Sequence, residues 1–89
     1  MDFKQIVKDV LLTESQELEK AAATISFDIE KAIDLIINSK GKLIVTGVGK
    51  SGLVGTKIAA TLASTGTSSF FLHPTEAMHG DLGMIGKED

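Results

Sequence analysis

Val45-Thr46-Gly47-Val48-Gly49-Lys50-Ser51-Gly52 decides how the rest of the sequence is read. Lys42-Leu43-Ile44-Val45-Thr46 leads into the glycines as a short apolar run of strand type, and Leu53 to Thr65 leaves them as a helical one. Strand, glycine turn and helix in that order make an anion site. Glycine lets the backbone adopt positive φ and brings N–H groups close to a ligand. The first turn of the next helix adds unpaired N–H groups and the positive end of its dipole. Lys50 contributes a charge and Ser51 a hydroxyl, neither of which a plain connecting turn requires. A phosphate, or a phosphorylated small molecule, is the expected ligand.

Two better-known phosphate motifs do not fit. Gly47, Gly49 and Gly52 spell G-x-G-x-x-G, but a dinucleotide site needs an acid about 20 residues on, at the end of the next strand. That strand, Ser68 to Leu72, ends in His73-Pro74. Gly49-Lys50-Ser51 imitates the end of a Walker A loop, which needs a glycine five residues before the Gly-Lys pair. Ile44 stands there, inside the strand.

Composition narrows the class. Eighty-nine residues allow one small domain at most, and 43% hydrophobic with 24% charged residues is ordinary globular usage. A net charge of −3 implies neither nucleic acid nor an anionic membrane as partner. All nine basic residues are lysines, so the chain offers no guanidinium clamp for phosphate. With no cysteine there is no disulfide framework, which fits a cytoplasmic setting. The first residues form no signal-peptide core, and no apolar run approaches the ~20 residues of a membrane span.

Residues 1–40 are expected to hold helices and residues 41–89 a first, incomplete β-α-β unit. Phe3, Ile6, Val7, Val10 and Leu11 follow one helix face, continued by Leu18, Ala21, Ala22 and Ile25. Thr13-Glu14-Ser15-Gln16 has the spacing of a capping box, so this region reads as one or two helices. Phe27 to Asn38 is the clearest helix, with Ser26 as N-cap, acids in the first turn, and Ile29, Ala32, Ile33, Ile36 and Ile37 as its buried face. In the helix after the glycine turn, Val54, Ile58, Ala59, Leu62 and Ala63 are expected to face inward, and Gly66 to cap the end. Phe70 and Phe71 read as buried strand aromatics. Two parallel strands cannot bury both sheet faces, so the sequence reads as the N-terminal part of a larger domain.

After the second strand comes His73-Pro74-Thr75-Glu76-Ala77-Met78-His79-Gly80-Asp81. Pro74 suits the first turn of a short helix to Met78 and keeps His73 extended. His73, Glu76 and His79 then sit at the carboxyl edge of the sheet, where open α/β sheets bind ligands. Imidazoles there can move protons or bind a metal. Glu76 reads as a solvated residue or a partner for a histidine, Asp81 as a turn cap, and Leu82 to Ile85 as an apolar loop.

Taken together, Val45–Gly52, Ala59-Ala60-Thr61-Leu62-Ala63-Ser64-Thr65-Gly66-Thr67 and His73-Pro74-x-Glu76-Ala77-x-His79-Gly80-Asp81-Leu82-Gly83 resemble the sugar isomerase (SIS) domain of D-arabinose 5-phosphate isomerases. The resemblance is close over residues 42–85 and weaker over the N-terminal helices. It implies an α/β fold: the N-terminal part of a flavodoxin-like SIS domain, a parallel sheet with helices on both faces, preceded by N-terminal helices. It implies interconversion of D-ribulose 5-phosphate and D-arabinose 5-phosphate toward the Kdo sugar of lipopolysaccharide or capsule. Lys50 and His79 are the implied catalytic residues. Gly49, Ser51, Gly66, Thr67, His73 and His79 are the implied substrate contacts. No cofactor is required, although His73 can take an inhibitory Zn²⁺. Sites built across a homotetramer are also implied. The family's second phosphate loop and further carboxylates have no counterpart in these residues, so this piece alone is expected to be inactive. The competing reading is a non-catalytic phosphosugar-binding regulatory module, although no basic recognition helix accompanies it.

Overall fold

The computed structural model describes residues 1–89. Its contacts divide the chain into two compact units, Met1–Ile33 and Asp34–Asp89. Both helices that precede the first strand end before residue 40, and the boundary falls inside the second helix. The last turn of that helix runs directly into the Ser39–Lys42 segment, which hydrogen-bonds to residues 88 and 89.

The first unit is built on α1, Phe3–Thr24, one uninterrupted helix. Of the two readings, one helix or two, the structure has the single helix, with no restart at Thr13. Neither glycine nor proline interrupts these 22 residues, so the helix has no reason to break. Its N-cap is Asp2, whose carboxylate accepts from Gln5 N–H at 3.0 Å. The apolar stripe is present, but Phe3 and Leu18 are each 72% exposed.

Helix α2, Asp28–Asn38, begins as its N-terminal signals require. Ser26 Oγ accepts from Asp28 N–H at 3.3 Å, and Asp28 and Glu30 occupy the first turn. None of its residues is buried. The periodic face of Ile29, Ile33 and Ile36 exists, but the buried role expected of it is not met within these residues.

The second unit carries a parallel pair, β1 (Leu43–Val45) and β2 (Ser69–Phe71), joined through α3 (Lys50–Ser64). The register places Leu43, Ile44 and Val45 opposite Ser69, Phe70 and Phe71. Helix α3 packs across both strands through its smallest residues. Gly52, Gly55 and Ala59 are buried, whereas Val54 and Ile58, expected inside, are exposed. The reason is steric. A Cβ at Gly55 would meet Val45 Cγ1 at 3.0 Å and the Phe71 ring at 3.3 Å, so the helix lies too close for a larger side chain. Ser69 Oγ donates to Ala59 O at 2.7 Å on the same interface. Phe70 and Phe71 are half-buried rather than buried, and Leu72 and Ala59 are the only buried apolar side chains. Thr65 caps α3, and Gly66 follows it at φ +105°.

Beyond β2, helix α4 spans Pro74–Met78, and Asp81–Met84 forms a 3₁₀ turn where a loop was expected. The Gly83 N–H to Gly80 O bond at 3.0 Å opens that turn. At the amino ends of the strands, a cleft of about 650 Å³ is lined by Leu35, Ile36, Ile37, Leu43, Thr67 and Ile85, among others.

Candidate functional site

The carboxyl ends of β1 and β2 are tied together before the site begins. Leu72 N–H donates to Val45 O at 2.8 Å, and Thr46 Oγ1 donates to Leu72 O at 2.6 Å. The glycine turn leaves one strand and His73 the other, so these bonds hold the two functional segments side by side.

In the turn, Gly49 precedes α3 with φ +61° and ψ −129°, a backbone state that excludes most side chains. Gly47 and Gly52 meet almost in contact. A Cβ at Gly52 would lie 2.6 Å from Gly47 O. Leu53 N–H to Gly49 O, at 3.1 Å, is the first intrahelical bond. The N–H groups of Lys50, Ser51 and Gly52 therefore precede the helical ladder and are free to serve a ligand. Lys50, exposed in that first turn, forms no ion pair; the salt bridges present are Lys20–Glu17 and Lys31–Asp28.

An open cleft of about 450 Å³ lies over this turn, lined by Gly47, Gly49, Lys50, Gly52, Leu53, Thr56, Phe71 and His73. Phe71 is its floor. A Cβ at Gly52 would meet its ring at 3.4 Å, and the ring stands edge-on to His73 with centroids 6.4 Å apart. Apolar packing below and free donors above suit a small polar anion with a short carbon body.

The histidines are organised by one residue. His73 is the N-cap of α4, and its Nδ1 accepts from Thr75 N–H at 3.1 Å. His79 closes the same helix, with Nδ1 2.8 Å from Thr75 O. Sequence reasoning overlooked Thr75. Its signal was only partial: a residue in the first turn of a Pro-initiated helix presents its N–H to the capping side chain, but nothing in residue order marks the reach of its carbonyl to His79.

The expected site residues fall into separate groups. Lys50, Gly49 and His73 line one cleft. Ser51 is exposed in the same helix turn. His79 lies outside the lining and connects to His73 through Thr75. Gly66 and Thr67 do not join them. They line the larger cleft at the other end of the strands. The strands are parallel, so residues entering β2 share an edge with residues entering β1, opposite the glycine turn. Glu76 and Asp81 are exposed and form no salt bridge. Zinc at His73 does not fit the residues present. No three His, Cys, Asp or Glu side chains converge, and the Nδ1 lone pair of His73 already serves Thr75.

Comparison with known proteins identifies the family and the fold. The SIS domain model matches residues 35–89. The chain is 51% identical over 89 residues to the arabinose 5-phosphate isomerase KdsD of Pseudomonas aeruginosa, covering all of the chain and 27% of that protein. It is 50% identical over 82 residues to the arabinose 5-phosphate isomerase GutQ of Escherichia coli K12, covering 92% of the chain and 26% of that protein. It thus spans about a quarter of the length of these curated relatives. Among solved structures, an Escherichia coli CFT073 protein in complex with arabinose 5-phosphate superposes with a TM-score of 0.88 at 39% identity, over 100% of this chain and 49% of that one. A Bacteroides fragilis candidate phosphosugar isomerase involved in capsule formation gives 0.87 at 38% identity, over 99% of this chain and 47% of that one. The parallel β-α-β unit, with its glycine turn opening α3, belongs to the SIS domain family.

Proposed function

We propose that these residues form the phosphate-binding half of an aldose–ketose isomerase site that interconverts D-ribulose 5-phosphate and D-arabinose 5-phosphate. The observation that carries the reading is the cleft in which the free first-turn N–H groups of α3 and the unpaired Lys50 face His73 across Phe71. The dianion of a sugar phosphate sits at the first turn of α3, where N–H donors and the helix dipole both favour it. Lys50 either neutralises that phosphate or stabilises the oxyanion that develops as a proton moves between the first two carbons. A histidine beyond β2 handles the proton. The relatives that carry this activity by name are about four times as long, so this chain supplies part of a site. The KdsD name supports a place in Kdo precursor synthesis, and the capsule-forming structural neighbour supports the capsule alternative; a cytoplasmic setting and a homotetramer belong to the same proposal.

The test is a titration with arabinose 5-phosphate of a longer protein containing this segment, followed through backbone amide resonances. Saturable shifts at Lys50, Ser51 and Gly52 are expected, with no turnover of ribulose 5-phosphate by these 89 residues. Absence of shifts at the turn would sink the reading. A non-catalytic phosphosugar sensor is favoured by one observation, the absence of His79 from the cleft lining. It is distinguished by a longer protein containing this segment, which would bind the sugar phosphate and leave its isomer ratio unchanged.

A further inference from the structure

We propose that Thr75 locks His73 and His79 in opposite tautomers, so that the two imidazoles act as a donor and an acceptor. The tautomers follow from geometry alone; the chemical roles rest on the isomerase reading above. A backbone N–H can only donate. His73 Nδ1 accepts from Thr75 N–H at 3.1 Å, so it holds a lone pair, and the neutral ring carries its proton on Nε2. A backbone carbonyl can only accept. His79 Nδ1, 2.8 Å from Thr75 O, must therefore carry the proton, which leaves Nε2 bare. One residue's N–H and C=O set both rings, through a helix only five residues long.

The difference separates two roles that residue type leaves equal. His79 Nε2 can take a proton from a sugar hydroxyl. The imidazolium that results keeps its Nδ1–H on the Thr75 carbonyl. His73 cannot release its Nε2 proton, because that would leave an imidazolate. It offers a hydrogen bond to a substrate oxygen and no more. His73 lines the cleft beside Lys50, where a donor to the sugar is useful, and Phe71 fixes its ring edge-on. Thr75 is accordingly a positioning residue.

The test is nitrogen NMR, at alkaline pH, of a longer protein containing this segment and labelled in its imidazole rings. Protonated and bare ring nitrogens resonate in separate ranges, so each tautomer is read directly. His73 is expected as the Nε2–H form and His79 as the Nδ1–H form. In His73→Asn, whose side-chain oxygen replaces Nδ1 as the cap, His79 is expected to keep its form. The same tautomer in both rings, or averaged signals, would overturn the assignment. Arabinose 5-phosphate is then added. A shift of the bare His79 nitrogen supports the acceptor role, and a static one overturns it. Should the Lys50 amide also stay still, it is the ligand reading that fails, since the tautomers are measured without ligand.

Discussion

Gly52 shows how little freedom the site allows a single residue. Its missing Cβ leaves room for Gly47 O, and the turn closes only because of that. Gly52→Ala places a carbon 2.6 Å from that oxygen, an overlap that costs about 1–3 kcal/mol to relieve. The turn opens while α3 itself remains, since alanine favours helix. The expected result is loss of the phosphate-induced shifts at Lys50 and Ser51 with unchanged far-UV helix signal. Lys50 acts by charge instead. It lies exposed and unpaired, so Lys50→Ala disturbs no internal contact. Removing a charged donor from a phosphate is worth about 1.5 kcal/mol, or roughly tenfold in Kd. Calorimetry with arabinose 5-phosphate checks it, and an unchanged Kd would move the phosphate away from Lys50. Both residues stand out in the sequence by spacing. The Thr75 bridge does not, because it needs the helix to exist before its N–H and C=O face the two rings.

At the scale of elements, α3 and β2 define the site, and a small turn secures the other end of β1. Asp89 accepts from Lys42 N–H at 2.7 Å and from Gly86 N–H at 2.8 Å. Glu88 and Gly41 pass so close that a side chain on Gly41 would overlap Glu88 backbone. The hydrogen bond from Lys42 N–H, then that from Gly86, holds the Asp89 carboxyl below the ordinary aspartate range, and the nearby Lys42 charge adds to it. A carboxylate depressed in the folded state contributes stability above its unfolded pKa and loses it as pH falls through the folded one. The 86–89 turn is therefore expected to hold from neutral pH down to about pH 4 and to release below it. Loss of amide protection at Lys42 and Gly86, relative to the intrinsic exchange rate, marks the release under acid, and in Asp89→Asn the same protection falls at neutral pH. Protection unchanged by both pH and the substitution would show that the turn is held by other bonds. The strand and helix positions were legible from apolar runs and caps. The inward face of α3 was legible only in part. Ala59 was expected there and is buried, but periodicity also favours Val54 and Ile58, where the short distance from helix to sheet selects Gly52 and Gly55 instead.

At the scale of the whole molecule, what dominates is apolar surface left in water. Ile37, Leu53, Phe27 and Leu35 are all more than 70% exposed, and the buried apolar side chains are Ala59 and Leu72. So small a core cannot offset the conformational entropy of 89 residues. The 89-residue chain is expected to melt without a sharp transition, to bind a hydrophobic dye strongly, and to self-associate above micromolar concentration. Scanning calorimetry and sedimentation check this. A cooperative transition of a dye-silent monomer would contradict it. No helix of the chain is long and apolar enough to cross a membrane, so these faces are not membrane spans.

The sequence by itself determined the element order, the glycine turn and the family, because each depends on local rules: glycine where φ must be positive, proline at a helix start, apolar residues in runs. Only the tertiary structure decided which residues share a site. Parallel pairing sends Gly66 and Thr67 to the edge opposite Lys50, and the Thr75 peptide assigns each histidine its proton. Neither could be read from residue order, because both are distances between segments that meet only after the strands pair.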